Sequence, residues 1–145
     1  MNRLALAGLL LAVTLPVQAR DERLSFPLQD ALTNAEAKSR LDPGIALYFH
    51  HQPHPRVARS LGEWATNKKT NAFGKTDKTA CEWAFLSAAL ELQQRARKEG
   101  GNAVIDIYSN YKNQPEKSAT QYTCGAGGIM AGVALKGTVV TIQDK

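Results

Sequence analysis

The fold is decided by residues 77–109, which read DKTACEWAFLSAALELQQRARKEGGNAVIDIYS. Apolar residues recur in the first part of this stretch at the three- and four-residue spacing of a helix that covers a sheet. Thr76 precedes it as a candidate N-cap, and Gly100-Gly101 follows as a left-handed stop. The pattern predicts a helix from Asp77 to Glu99. Its apolar positions form two stripes: Cys81, Phe85, Ala88, Leu92 and Ala96, and then Trp83, Leu86 and Leu90.

A strand is predicted directly after this helix, from Asn102 to Ser109, with Ala103, Ile105 and Ile107 facing the helix. Other segments also have the composition and alternation of strands. They are Gly44–His50, Val57 to about Thr66, Ser118–Gly125 and Ile129–Ile142. Gly62 indicates a bulge in the second of them.

The remaining segments are predicted to be irregular or helical. Residues 20–43 show one short helical pattern at Leu28, Leu32 and Ala35, and residues 67–74 read as a polar loop. We therefore predict an α+β domain of two layers, in which one long helix packs on a mostly antiparallel sheet of about five strands.

The first nineteen residues have the pattern of a cleavable signal peptide. Arg3 supplies a positive charge, Leu4 to Leu15 form an apolar run of twelve residues, and Val17-Gln18-Ala19 is a small-x-small cleavage site. The run is shorter than the roughly 20 residues that a transmembrane helix needs. We expect cleavage after Ala19, a periplasmic location, no transmembrane segment, and a single domain over residues 20–145.

Composition and charge limit the classes of function. The chain has 145 residues, of which 43% are apolar and 21% charged, with a net charge of +5. This composition is that of a globular domain. A modest positive excess suits contact with anionic envelope polymers or lipid headgroups, and it also serves solubility alone. Nucleic-acid binding is disfavoured, because such domains are usually more basic.

The two cysteines, Cys81 and Cys124, are predicted to form a disulfide, because an exported protein meets an oxidising environment. Their spacing is far from the CxxC of thioredoxin-like redox proteins, so a redox role is disfavoured.

Two other motifs are considered for chemistry. Gly74-Lys75-Thr76 resembles the end of a phosphate-binding loop, but Lys69 occupies the position of that loop's first glycine. We interpret the triplet as a helix cap. No G-x-S-x-G elbow is present. We therefore expect neither catalysis nor a cofactor.

Two clusters are candidate binding sites. His50, His51 and His54 are all the histidines of the chain, and imidazole suits zinc or copper. Pro53 and Pro55 make a helix unfavourable there, and structural zinc usually needs four ligands. The basic cluster lies around the start of the long helix, where a solvated loop is the simpler interpretation. It comprises Lys68, Lys69, Lys75 and Lys78.

A resemblance adds to this interpretation. Residues 88–107, with Gly101-Asn102-Ala103-Val104 after an alanine-bearing helix, resemble the helix–GxNAV–strand unit of YbjQ-like domains and of the outer-membrane stress sensor RcsF. Residues 133–140 resemble the closing strand of that family. The chain from residue 20 is also similar to small exported bacterial proteins often labelled excinuclease ATPase subunit. The resemblance implies a small β–α–β domain with a cell-envelope role, and it transfers no catalytic residue.

Two functions are therefore expected. The first is a non-catalytic envelope domain that binds a protein partner or an anionic envelope component, with stress sensing as one role for it. The alternative is a periplasmic metal-binding protein that uses the His50–His54 loop.

Overall fold

A computed structural model describes residues 8–14 and 20–143. The predicted cleavage position after Ala19 lies outside these residues. None of the helices described is long and apolar enough to cross a membrane. In chain order the elements are β1 (Glu22–Pro27), α1 (Leu28–Thr33), α2 (Ala35–Arg40), β2 (Ala46–Phe49), β3 (Val57–Asn71), α3 (Asp77–Lys98), β4 (Ala103–Ser109), a 3-10 turn (Tyr111–Asn113), β5 (Gln121–Ala126) and β6 (Met130–Ile142).

All six of these strands belong to one sheet, which curls into a half-barrel. The order is β1-β5-β6-β4-β2, and β3 also pairs with β6. Only the β2–β4 pair is parallel among these strands. β3 follows β6 along nearly its whole length, whereas β5 and β4 pair with the beginning and the end of β6. The α+β class and the mostly antiparallel sheet are confirmed, with six strands where about five were predicted.

The long helix α3 begins and ends close to where the sequence predicts. The Thr76 side chain accepts a hydrogen bond from the Thr79 backbone N–H at 3.2 Å, which caps the first turn. At the other end Gly100 adopts φ 80°, a left-handed conformation that glycine reaches without strain. The triplet Gly74-Lys75-Thr76 therefore serves as a helix cap, as predicted.

The core lies between α3 and the concave side of the sheet. Phe85 of α3 packs on Tyr122 of β5, with ring centroids 4.5 Å apart, and on Phe49 of β2 at 5.9 Å. Cys81 and Cys124 form the predicted disulfide with a Cα–Cα distance of 5.9 Å, so α3 is linked covalently to β5. Closing a loop between residues 43 positions apart contributes roughly 4 kcal/mol by chain-entropy arithmetic.

The sequence did not predict β1. This strand pairs antiparallel with β5, with Leu24 opposite Cys124 and Phe26 opposite Tyr122. Leu24 and Phe26 of β1 pack against the core. Two alternating apolar residues are too few to distinguish a strand from a loop in the sequence. Pro27 ends β1, as suits the edge of a sheet.

β3 is longer than predicted. It continues through the polar residues up to Asn71, where we expected a loop over residues 67–74. Lys68 lies opposite Val133 and Lys69 opposite Gly132 in a regular register. Pairing with β6 therefore outweighs the low strand propensity of Asn and Lys. The predicted irregularity at Gly62 is confirmed by a register shift between Ser60 and Glu63.

The predicted facing of β4 is wrong in its first half, where Val104, and not Ala103 or Ile105, lies on the face toward α3. Val104 and Ile107 are fully buried, whereas Ile105 is only half-buried. Asp106 adopts φ 49° at a break in register between Ile105 and Tyr108. Such a bulge adds one residue to the strand and exchanges the faces of the residues that follow.

Candidate functional site

A row of four residues crosses the outer face of the sheet, the face that points away from α3. Lys69 of β3 pairs with Gly132 of β6, Gly132 pairs with Gly125 of β5, and Gly125 pairs with Arg23 of β1. Cys124 next to Gly125 points toward the helix, so Gly125 must point outward. On this row the central strands β5 and β6 expose only backbone on the outer face, and the flanking strands β1 and β3 carry the basic residues Arg23 and Lys69.

The ring of Tyr111 occupies the space above the two glycines. A Cβ atom added to Gly125 would lie 2.0 Å from Tyr111 Cζ, and one added to Gly132 would lie 3.5 Å from Tyr111 Cε2. The ring is held at its edge by a 3.3 Å hydrogen bond from Tyr111 Oη to Asp21. Burial raises the pKa of this hydroxyl, so it stays a neutral donor. Glycine at position 125 is therefore required for this close approach.

An open groove of about 510 Å³ begins beside Tyr111 and extends to the β5–β6 turn. We call it the outer groove. Gly127 and Gly128 form part of its floor and Ile129 and Met130 its far end. Lys69, Lys112, Arg20 and Asp21 line its rim.

Three apolar side chains stand exposed near the β5–β6 turn, and two of them, Ile129 and Met130, also line the outer groove. Phe73, Ile129 and Met130 have 77%, 69% and 44% of their surface exposed, and we call them the apolar tip. Phe73 belongs to the turn between β3 and α3, and Ile129 to the turn between β5 and β6. The two turns are joined by a backbone hydrogen bond of 2.6 Å from Ala72 N–H to the Ile129 carbonyl.

Two of the basic residues on the rim are neutralised by neighbours. Arg20 forms ion pairs with Glu22 and Asp77, and Lys112 forms one with Asp21. These cations hold the pKa of Asp77 and of Asp21 below its usual range, chiefly through their hydrogen bonds to the carboxylates.

Lys69 and Lys75 differ from these residues. Neither has a carboxylate within salt-bridge distance in the part of the chain that the structure describes. The Lys75 ammonium donates to the Asn71 carbonyl at 2.9 Å and stays at the surface. Both charges are therefore available to an anion.

The predicted basic cluster does not form one surface. Lys68 points toward α3, where its ammonium lies 3.3 Å from Glu91 Oε2. Lys78 pairs with Asp30 at 2.7 Å. Lys69 points to the opposite side of β3 from Lys68, as the alternation of a strand requires. Of the four predicted lysines, Lys69 lines the outer groove and Lys75 lies two residues after Phe73, whereas Lys68 and Lys78 are held by carboxylates.

The three histidines lie at another place, on the loop after β2. His50 Nδ1 is 2.9 Å from Asp106 Oδ1, and the His50 and His51 rings have centroids 3.8 Å apart. His54 packs instead on Tyr48, with its Nδ1 2.8 Å from the Pro55 carbonyl. Across residues 8–14 and 20–143, no group of three or more His, Cys, Asp or Glu side chains is placed to hold a metal ion.

A smaller cleft of about 220 Å³ lies between β3 and α3. Trp64 Nε1 and Thr66 Oγ1 are buried polar atoms that have no hydrogen-bond partner in the structure, and the buried Glu91 Oε2 faces the Lys68 ammonium. The Arg95 guanidinium covers the Trp64 ring at 4.2 Å from its centroid. Because these polar atoms are closed to solvent, the cleft offers a ligand fewer accessible groups than the outer groove.

Sequence analysis missed the outer groove and the apolar tip. Tyr111, Gly127 and Gly128 lie in the connections between predicted strands, and nothing local in the sequence brings these connections together. A usable signal is nevertheless present, because Gly125 and Gly132 occupy outward positions of two strands whose inward positions are apolar. Two facing outward glycines in neighbouring strands indicate that something packs closely on the backbone.

Comparison with known proteins adds no relative. No family model matches the chain, no curated protein matches it, and no solved structure matches it. The resemblance to YbjQ-like and RcsF-like domains therefore stays a prediction.

Proposed function

We propose that the protein is a non-catalytic domain of the cell envelope that binds an anionic envelope component at the end of its half-barrel. The observation that carries the proposal is the position of Lys69 and Lys75. Lys69 lines the outer groove and Lys75 lies on the turn after β3; both side chains are exposed and lack a carboxylate partner among the residues described, whereas Arg20 and Lys112 are paired.

The chemistry of the outer groove favours binding over catalysis. Its lining offers glycine backbone, the Tyr111 ring and cationic side chains. The Asp21 carboxylate on its rim is held by Lys112 and Tyr111, which stabilise its charged form. Such a surface attracts an anion and presents no nucleophile beside a general base.

A periplasmic location is the second part of the proposal. It is supported by the signal-peptide pattern of residues 1–19 and by the Cys81–Cys124 disulfide, a bond typical of oxidising compartments. The mass of the protein isolated from the periplasm tests it. We expect an N-terminus at Arg20, and a mass that includes Met1 would contradict export by cleavage.

Binding is tested with dextran sulfate as a soluble anionic probe, titrated at low salt and at about 0.15 M salt. We expect saturable binding that weakens with salt, and a loss of roughly 25-fold in the Lys69→Glu/Lys75→Glu variant, about fivefold for each lysine. The matched control is Arg56→Glu/Arg59→Glu, which makes the same charge change at the opposite end of β3. Equal losses in both variants would show a non-specific charge effect and contradict the site.

Metal binding by the histidine loop is kept as a second proposal. It is supported by the adjacent rings of His50 and His51. Calorimetric titration with zinc tests it, with His51→Ala as the variant. Heat that saturates at one zinc per chain and disappears in His51→Ala would favour this function, and absence of saturable heat would remove it.

A further inference from the structure

The apolar tip has no role in binding a soluble anion. Phe73 and Ile129 expose more than two thirds of their surface at 77% and 69%, and they stand on two adjacent turns at the end of the molecule. Single exposed apolar residues are ordinary on protein surfaces. Here two large ones lie on turns that are joined by a backbone hydrogen bond, near lysines that have no carboxylate partner among the described residues. An exposed apolar patch of this kind indicates an interaction surface.

We propose that the anionic component is a phospholipid bilayer, into whose interface Phe73 and Ile129 insert while Lys69 and Lys75 contact headgroup phosphates. This inference rests on the proposed function and deepens it, because it names the chemical class of the partner.

The charges beside the tip are complementary to such a surface. Lys69 lies one strand across from Gly132 in the outer groove, and Lys75 follows Phe73 by two residues. A basic residue near an anionic membrane contributes to binding only within about a Debye length of the surface. Lysines close to the inserted side chains therefore meet this condition when the tip enters the bilayer.

The two turns present the tip in a fixed arrangement. The Ala72–Ile129 backbone hydrogen bond joins them, and the Phe73 N–H donates to the Asn71 side chain at 2.9 Å. Met130 begins β6 opposite Asn71. Insertion then requires little ordering of the chain, which lowers the entropic cost of binding.

Two other occupants fit the observations less well. A soluble polyanion uses the lysines and leaves Phe73 and Ile129 in water. A second copy of the chain, joined tip to tip by a twofold axis, brings a second Lys69 and a second Lys75 against the first pair. Like charges held close together disfavour that contact.

Vesicle cosedimentation of the mature protein tests the inference. The probes are vesicles of phosphatidylcholine alone and vesicles in which about a third of it is replaced by phosphatidylglycerol. We expect binding to the anionic vesicles only. Phe73→Ser/Ile129→Ser is expected to weaken it by at least about tenfold, since inserted apolar surface returns to water. Phe73→Leu/Ile129→Leu, which keeps the tip apolar, is the matched control and should bind nearly as well as the native protein.

The dextran sulfate titration separates this inference from the proposed function. The serine variant should bind dextran sulfate like the native protein, whereas Lys69→Glu/Lys75→Glu should weaken binding to both probes. Unchanged vesicle binding by the serine variant overturns insertion and leaves the proposed function standing. Dextran sulfate binding without vesicle binding also overturns insertion. A serine variant that changes only the sedimentation coefficient of the free protein assigns the tip to self-association, and failure of both probes removes both proposals.

Discussion

The two faces of strands β5 and β6 are built in opposite ways from alternate residues of the same chain segments. On the inner face Tyr122, Cys124 and Val133 are almost completely buried beneath α3. On the outer face Gly125 and Gly132 have no side chains, and the ring of Tyr111 covers them from a separate turn. The inner face is fixed by apolar volume and one covalent bond, and the outer face by polar contacts among neighbouring loops.

The two faces of the sheet therefore have different roles, the inner one in stability and the outer one in forming the groove. The inner face determines stability, because losing volume or a bond there is costly in a close-packed interior. The outer face leaves a groove that a ligand can enter, and a ligand can replace the polar contacts among its loops. Substitutions should therefore separate into those that change the free energy of unfolding and those that change the groove.

The largest effect is expected on the inner face, from removing the disulfide. Cys81→Ser and Cys124→Ser should each lower the free energy of unfolding by roughly 2–5 kcal/mol, and the double variant by little more, since both act on one bond. Thermal melting under non-reducing conditions measures the shift, at roughly 4 °C for each kcal/mol. Two free thiols in the natively purified protein would contradict the disulfide.

A methyl group added to the inner face comes next. A Cβ at Gly137 would lie 2.8 Å from Val104 Cγ1 and 2.9 Å from Ile107 Cγ1, both in the core. Overpacking of this kind typically costs 1–3 kcal/mol, so we expect Gly137→Ala to be destabilised by about 2 kcal/mol. Denaturant unfolding checks it, with Gly128→Ala as the control, because no atom lies within 4 Å of a Cβ there. Equal midpoints for the two variants would contradict the packing.

The same change on the outer face should act on the groove. In Gly125→Ala the new methyl group would overlap the Tyr111 ring, which belongs to a partly exposed turn and can move outward. We expect a loss of about 1 kcal/mol together with a change in dextran sulfate affinity. Adding Tyr111→Ala to this variant should remove most of the overlap, so the two changes should be far from additive. Additive losses would mean that the ring does not lie over Gly125.

The smallest effect is a pH dependence of the outer face. Glu116 accepts hydrogen bonds from Thr123 Oγ1 at 2.7 Å and from Arg23 at 2.8 Å, and these bonds lower its pKa below the usual 4.5. Its contribution to stability is therefore present above the unfolded pKa and is lost as the pH falls through the folded one. Because the side chain is half exposed, we expect about 0.5 kcal/mol at neutral pH.

Denaturant midpoints of the native protein and of Glu116→Gln at neutral and acidic pH measure this contribution. The two proteins should differ at neutral pH and converge in acid. In a Thr123→Val background the gap should narrow, because the donor of the shorter bond has been removed. A gap that widens in acid would reverse the sign and exclude this account.

The elements that the sequence predicted well are those with strong periodicity or explicit caps. The twenty-two residues of α3 carry a wide apolar arc between Thr76 and Gly100, and the thirteen residues of β6 are mostly apolar or β-branched. The sequence did not predict β1 or the second half of β3, because these segments are stabilised by pairing with distant strands. β1 has only two inward apolar residues, and Lys68 and Lys69 are strand residues because they pair with β6. Nothing in the residue types around Asp106 predicts the bulge there.

The candidate site was predictable only in part. The sequence identified Lys69 and Lys75 as basic residues near the start of α3, but it grouped them with Lys68 and Lys78. The alternation of β3 separates Lys68 from Lys69, and Asp30, which is 48 residues before Lys78, neutralises the latter. Local sequence carries no information about such distant partners. The proximity of the turns that carry Phe73 and Ile129 depends in the same way on the pairing of β3 with β6.

The position of β6 also determines when the domain can begin to fold. β6 is the last strand in chain order, and it joins β3, β4 and β5 into one sheet. A nascent chain that ends before residue 130 lacks the strand between these three, so their edges remain open and α3 has no complete surface to cover. Folding must then wait for nearly the whole sequence, and contacts between segments so far apart form slowly. During that interval the unpaired edges of β3, β4 and β5 favour aggregation.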